Sequence, residues 1–125
     1  MSWNTHQLPQ LAAADDCRIA PFREDGVTPG TPTFIWSVVS GDNVYVRAYS
    51  GQRSSWYRAA VAQRAGQMHM AGATHTVRFE PVDGEAVNDA IDNAYRSKYA
   101  NSRYLASMVS DRARAATVRV MPESD

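Results

Sequence analysis

Alternation of apolar and polar residues is the clearest pattern in this chain, and it predicts a series of short β-strands. In residues 44–49, Val44 and Val46 alternate with Tyr45 and Arg47, which places the two pairs on opposite faces of a strand. The same rule, together with β-branched and aromatic composition, predicts strands at residues 17–22, 33–40, 67–71, 75–81 and 115–121. A Gly-Asp-Asn turn joins the segments 33–40 and 44–49, so these two strands are expected to form a hairpin.

A second pattern, with apolar residues three to four positions apart, predicts helices at residues 1–14, 54–65 and 83–100. Ser54 or Ser55 is the expected N-cap of the middle helix, and Gly66 is its expected C′ residue. Asp83 is the expected N-cap of the last helix. Residues 122–125 are expected to form a frayed tail.

Together these elements predict an α+β or mainly β fold in which antiparallel pairing dominates and two to three helices accompany the strands. The length of 125 residues suits a single domain, residues 1–125. The hydrophobic fraction of 44% and the charged fraction of 21% are those of a folded globular protein and argue against disorder.

The net charge and the composition limit the classes of partner and the cellular location that are expected. Thirteen basic and thirteen acidic residues give a net charge of zero, which argues against a general nucleic-acid binder. The N-terminus lacks the features of a signal peptide, and apolar runs are too short to span a bilayer, so a cytoplasmic protein without a membrane partner is expected.

Cys17 is the only cysteine and metal-binding motifs are absent, so no metal site is predicted. Lys98, the only lysine, lies among tyrosines, where it could act as a base or extend its stem over aromatic surface.

Residues 47–58 form the most informative segment, because they combine three arginines, three serines and a glycine where a strand gives way to a helix. Free N–H groups at a helix start, serine hydroxyls and arginines bind anions, so we interpret the segment as an anion or phosphate site. Gly51 would let the backbone approach a ligand closely. The alternative is structural: the serines cap the helix, Trp56 fills the core, and Arg47 and Arg58 pair with carboxylates.

Long motifs carry a family resemblance. The run from Ala14 to Ala60, the later FEPVDGEAVNDAIDNAYRSKYA and the terminal RARAATVRVMP resemble the bacterial family catalogued as domain of unknown function 2255, over about residues 8–121.

A more distant similarity connects the Tyr-Val-Arg strand, the glycine and the Ser-x-Trp-Tyr-Arg helix to flavin- and deazaflavin-binding split β-barrels. These include deazaflavin-dependent nitroreductases and pyridoxamine-phosphate-oxidase-like proteins. The resemblance implies a small antiparallel split β-barrel, a homodimer, and either FMN or the deazaflavin coenzyme as cofactor. Carried over residue by residue, it implies a cofactor site made of Thr33, Trp36, Arg47, Tyr49, Gly51, Arg53, Ser54 and Ser55. This chain has Arg58-Ala59 where the nitroreductases carry Asn-Leu.

The function that follows is hydride transfer between the cofactor and a small organic substrate, with Tyr45, Tyr49 or Tyr57 as candidate proton donors. The alternative is a cofactor-free protein, either a small-molecule binder or a non-redox enzyme. In that case its barrel pocket would be lined by Trp36, Tyr49 and Arg47.

Overall fold

The alternating segments form one seven-stranded antiparallel sheet that curls into a half-barrel, in a computed structural model that describes residues 3–123. The strands are β1 (Arg18–Pro21), β2 (Thr33–Phe34), β3 (Ser37–Ser40), β4 (Asn43–Arg47), β5 (Ala65–Met70), β6 (Ala73–Val82) and β7 (Thr117–Pro122). Their order in the sheet is β2-β1-β5-β6-β7-β4-β3. The prediction of an α+β fold built on an antiparallel, barrel-like sheet is confirmed.

The helices are α1 (Leu8–Ala13), α2 (Ser55–Gln63), α3 (Glu85–Lys98), α4 (Leu105–Met108) and α5 (Asp111–Arg114), with a 3-10 turn at Gly51–Arg53. The first three correspond to the predicted helices, whereas α4 and α5 are single turns that the sequence pattern does not predict. The predicted N-terminal helix includes residues 1–2, and the predicted frayed tail includes residues 124–125. These four residues lie outside the described part of the chain. Pro122, predicted to be frayed, instead belongs to β7, and the Glu123 amide donates to the Thr76 carbonyl.

The continuous strand predicted at residues 33–40 is broken into two, and this break closes the half-barrel. β2 pairs with β1 at one edge of the sheet, and β3 pairs with β4 at the other edge. Only Ile35 and Trp36 separate β2 from β3, so the two edges lie within about 11 Å of each other at this point. The chain leaves one edge and joins the other because the sheet curls.

The alternation predicted for β4 is confirmed and explains why the fold has two apolar cores. Val44 and Val46 lie in the core inside the curled sheet. Tyr45 lies on the opposite face, in a second core with Val38 and with Ile91 of α3. Helix α3 therefore covers the outside of the β3–β4 edge. Its side chains can contact the residues at the break between β2 and β3.

Two of the predicted helix ends are wrong. Gly84, with φ of 113°, is the N-cap of α3 in place of Asp83, and its carbonyl accepts a bond from the Asn88 side chain. Helix α2 ends at Gln63, and Arg64 takes the left-handed conformation with φ of 62°. Gly66 is a residue of β5 rather than a C′ residue. A Cβ there would lie 2.6 Å from both the Ala20 carbonyl oxygen and the Pro21 Cα, so the close approach of β1 requires glycine at this position.

Candidate functional site

An open cavity of about 540 Å³ lies where the break between β2 and β3 faces the end of β4 and the start of α2. Five aromatic side chains contribute to its walls: Phe34, Trp36, Tyr49, Trp56 and Tyr104. Thr33, Ile35, Ser50, Ser54 and Met108 also line this aromatic cavity. Its size and its mixture of apolar walls with a few hydroxyl groups are typical of small-molecule sites.

The mouth of the aromatic cavity exposes large aromatic surface to solvent. Phe34 is 55% exposed, and Tyr49 and Tyr104 are each 47% exposed. The rings of Tyr49 and Tyr104 meet edge to face with centroids 6.3 Å apart. Arg112 lies over the Tyr49 ring and Arg103 over the Tyr104 ring. Exposed aromatic groups clustered at a cavity mouth favour contact with a planar ligand or another surface.

The back wall of the cavity is held by α3. The Trp36 ring stacks on the Tyr99 ring at a centroid distance of 4.1 Å and an interplanar angle of 5°. The Tyr95 hydroxyl donates to the Trp36 carbonyl at 3.0 Å, and the Lys98 ammonium donates to the Ser37 carbonyl at 2.8 Å. Tyr95, Lys98 and Tyr99 share one stretch of helix, but their contact with the Trp36 segment could not be predicted from the sequence pattern. The role of Lys98 visible here is to hold this backbone.

The loop after β4 is fixed from α5. The Arg112 guanidinium donates to the Tyr49 carbonyl at 3.2 Å. Gly51 is buried with φ of 78°, and a Cβ there would lie 2.5 Å from Cγ of Arg112. Gly51 therefore allows the Arg112 side chain, rather than a ligand, to lie close to the backbone. It contributes to the site by setting the shape of this loop.

Arg47 is fully buried beneath the cavity, and all five of its N–H groups have partners. Nε donates to Thr117, one terminal nitrogen donates to Asp92 and the Met108 carbonyl, and the other donates to the carbonyl and side-chain oxygens of Asn88. The prediction that Arg47 binds a phosphate needs a free donor, which this arrangement does not supply. Of the two interpretations of Arg47, pairing with a carboxylate is the one that the structure supports.

The structure brings some of the predicted cofactor residues together and separates others. Thr33, Trp36, Arg47, Tyr49 and Ser54 line the aromatic cavity. Ser55 faces a neighbouring cavity, while Gly51 and Arg53 line neither. Among the candidate proton donors, Tyr49 lines the aromatic cavity, whereas Tyr45 and Tyr57 are buried in the two cores. The sequence pattern missed Tyr104 and Met108, because they come from the unpredicted α4 region.

The start of α2 supplies polar groups at the cavity wall. Ser54 is the N-cap, as one of the two predicted alternatives, but within residues 3–123 its side chain makes no capping hydrogen bond. The first intrahelical bond runs from the Arg58 amide to the Ser54 carbonyl, so the amides of Ser55, Trp56 and Tyr57 precede it. The Ser54 hydroxyl and these amides are donors suited to an anionic group.

The neighbouring cavity, of about 850 Å³, lies between α2 and the loop at residues 22–31. Thr33 and Trp56 line both cavities, so the two adjoin. Charged residues line this second cavity, among them Arg23 and Glu24 from the loop and Arg58 from the helix. The second cavity is therefore the more polar of the two.

Cys17 is a buried thiol behind the Trp36 wall. Burial raises its pKa from 9.0 to about 12, against smaller opposing effects of a hydrogen bond with Ser37 and of the Lys98 charge. A thiol with so high a pKa is protonated at neutral pH, so it is not an activated nucleophile.

This shift predicts a pH dependence of stability. The folded state holds the Cys17 proton between pH 9 and about 12, whereas the unfolded chain releases it, so stability falls as pH rises through this window. Between pH 8 and pH 10 we expect Cys17 to remove about 1.4 kcal/mol from the free energy of unfolding. Burial also lowers the pKa of Lys98, which acts in the opposite direction, because stability then rises with pH.

The measurement is therefore a difference between two proteins. Urea unfolding of the wild type and of Cys17→Ala at both pH values measures the effect of the thiol together with its electrostatic coupling to Lys98. The wild type should lose more stability on going to pH 10. Equal losses in the two proteins would show that the thiol ionises alike in the folded and unfolded states.

Comparison with known proteins adds the family. Residues 7–120 match the sequence profile described as "Uncharacterized protein conserved in bacteria (DUF2255)". Searches of curated proteins and of solved structures found no match. Within residues 3–123, no helix is both long enough and apolar enough to cross a membrane. Because the profile covers nearly the whole chain, the chain belongs to the bacterial DUF2255 family.

Proposed function

We propose that this chain binds a flavin-type cofactor, FMN or the deazaflavin coenzyme, in the aromatic cavity and transfers hydride between it and a small organic substrate. The observation that carries the proposal is the convergence of five aromatic side chains on one cavity of about 540 Å³. Stacking on aromatic faces suits a planar, largely apolar ring system. The resemblance of the β4–α2 segment to flavin-binding split barrels supports the same assignment.

The residues present fit the two parts of such a ligand unequally. Trp36, Tyr49 and Tyr104 offer aromatic surface for a ring, and Met108 adds a flexible apolar contact. For a phosphate, the Ser54 hydroxyl and the first-turn amides of α2 provide donors. Arg47 is not among these donors, since its N–H groups are already bonded within the protein.

When bound, the cofactor supplies the hydride chemistry. The chain's own part is to bind the ring, orient it and limit the access of water. The stack of Trp36 on Tyr99 holds one wall in place, and the Tyr49 backbone is fixed by Arg112. The Tyr49 side chain, at the cavity mouth, can give a proton to the substrate once hydride has been transferred.

Tyr49→Phe tests this role. We expect it to lower the rate of substrate reduction about 100-fold, because a positioned proton donor typically contributes 10² to 10⁴, while cofactor affinity changes little. The matched controls are Tyr45→Phe and Tyr57→Phe, whose rings lie in the cores. Single-turnover reduction of a nitroaromatic substrate gives the rates. Equal rates for Tyr49→Phe and the wild type would remove Tyr49 from the chemistry.

A second candidate function is binding of an uncharged aromatic molecule without any cofactor. The observation that favours it is Arg47, because its guanidinium donors are all used and, among residues 3–123, the cavity floor then has no free cation. In this case the same aromatic walls bind the substrate directly. The two functions differ in whether a phosphate adds affinity.

Thermal unfolding with riboflavin, FMN and the deazaflavin coenzyme separates these candidates. A ligand at about 100 times its dissociation constant adds about 2.7 kcal/mol of stability. Under the proposal FMN or the deazaflavin coenzyme stabilises the wild type, and Trp36→Leu loses this effect. Stabilisation by riboflavin alone favours the uncharged ligand. No stabilisation by any of the three contradicts the proposal.

A homodimer remains a prediction from the resemblance. The exposed rings of Phe34, Tyr49 and Tyr104 support it, since a second copy would cover this apolar mouth. Sedimentation equilibrium of the wild type and of Phe34→Asp measures it, and a monomeric wild type would contradict it.

A further inference from the structure

The second cavity, which the proposed function does not use, carries an inference of its own. We propose that it binds a second anionic group, a phosphate or carboxylate, which lies beyond the first phosphate on the side chain of the ligand whose ring occupies the aromatic cavity. This inference rests on the proposed function. In this arrangement Arg58 selects ligands whose extended side chain carries a second anionic group.

The second cavity lies directly beside the aromatic cavity. Thr33 and Trp56 line both cavities, and Ser54 and Ser55, which are adjacent in the chain, face one cavity each. A ligand bound by its ring in the aromatic cavity and by a first phosphate at the start of α2 is therefore at the border of the second cavity. A longer side chain continues into it.

Helix α2 forms one wall of the second cavity, here called the helix wall. Ser55, Arg58, Ala59 and Ala62 fall at helical spacing on one face of α2, and all four line the second cavity. The two alanines leave space that larger side chains would fill. Arg58 is exposed, and it takes no part in the four salt bridges found among residues 3–123. The helix wall thus combines a hydroxyl group with an arginine that has no acidic partner there.

The loop at residues 22–31 forms the opposite wall of the second cavity, here called the loop wall. Asp25 accepts hydrogen bonds from the amides of Val27 and Thr28 and from the Thr28 hydroxyl, so its carboxylate closes its own loop. Arg23 and Glu24 add one charge of each sign to this wall. With Asp25 included, the loop wall carries two negative charges and one positive charge, so the helix wall around Arg58 is the place for an anion. A guanidinium binds phosphate and carboxylate groups through paired N–H donors.

The test compares ligands that share a ring and differ in the number of phosphate groups: riboflavin has none, FMN has one, and FAD has two, the second of which also carries adenosine. Dissociation constants are measured by tryptophan fluorescence for the wild type, Arg58→Gln and Arg58→Lys. Loss of a charge-assisted bond corresponds to about a tenfold change or more. We expect Arg58→Gln to weaken FAD about tenfold and to leave riboflavin and FMN within about twofold, with Arg58→Lys in between. The control is Arg96→Gln, which removes an exposed arginine that lines neither cavity.

Equal weakening of all three ligands, or of none, by Arg58→Gln overturns the inference. If neither a flavin nor the deazaflavin coenzyme binds the wild type, the proposed function fails, and inorganic pyrophosphate then tests the second cavity alone. Amide chemical-shift changes at Ser55, Arg58 and Ala59 that disappear in Arg58→Gln support an anion site there. The absence of such changes overturns it.

Discussion

Asp92→Asn is expected to lower the free energy of unfolding by about 3 to 5 kcal/mol, because it breaks a buried ion pair. One carboxylate oxygen of Asp92 bonds to Arg47 and the other to Arg114. Arg47 is fully buried, and the side chain of Asp92 is 7% exposed. Removing the carboxylate charge leaves a buried guanidinium without its counter-ion, which is far more costly than losing a surface pair.

The chain offers a matched control for this substitution. Asp89 also pairs with Arg114, but its side chain is 61% exposed. We expect Asp89→Asn to change the free energy of unfolding by less than about 0.5 kcal/mol. Urea unfolding followed by tryptophan fluorescence measures both variants. Similar losses in Asp92→Asn and Asp89→Asn would mean that burial of the Arg47 pair is not what makes it important.

Gly66→Ala is expected to lower the free energy of unfolding by about 3 kcal/mol. A Cβ at residue 66 would lie 2.6 Å from the Ala20 carbonyl oxygen and from the Pro21 Cα, and 3.0 Å from the Phe79 ring. The first two are backbone atoms of β1, which pairs with β5 here, so relief requires the two strands to move apart. Overpacking against backbone is costly because no side chain can rotate away.

Gly72→Ala separates this effect from ordinary glycine strain. Gly72 has φ of 75° and open space around its Cβ position, so its replacement meets conformational strain alone, about 1 kcal/mol. Gly66 has no such positive φ. The two variants are compared by urea unfolding, and hydrogen exchange at Ile19 and Ala20 reports the β1–β5 pairing. A Gly66→Ala loss no larger than that of Gly72→Ala would contradict the crowding seen here.

The sequence predicts well those features that depend on local periodicity. Alternation in residues 44–49 correctly placed Val44 and Tyr45 on opposite faces of the strand, and helical spacing located α3 to within a few residues. The aromatic cavity was anticipated in part, because the resemblance to split barrels implied a site that includes Trp36, Tyr49 and Ser54, and all three line the cavity.

Features set by distant contacts escaped prediction. The break at Ile35 and Trp36 results from curling of the whole sheet, since an unbroken strand could not serve both of its edges. Arg47 finds its partners 41 to 70 residues further along the chain, so its pattern at a strand end did not distinguish an anion ligand from a buried ion pair. Gly66 resembled a helix end because the strand that approaches it comes from residues 18–21.

The central claim is that the aromatic cavity holds a flavin-type ring. The most direct measurement is the absorption spectrum of the protein after incubation with FMN or the deazaflavin coenzyme and removal of free ligand. The wild type should retain the cofactor's visible absorption, Trp36→Leu should lose it, and Tyr45→Phe, altered away from the cavity, should keep it. A wild type that retains no cofactor absorption, or a Trp36→Leu variant that retains as much as the wild type, would contradict the account.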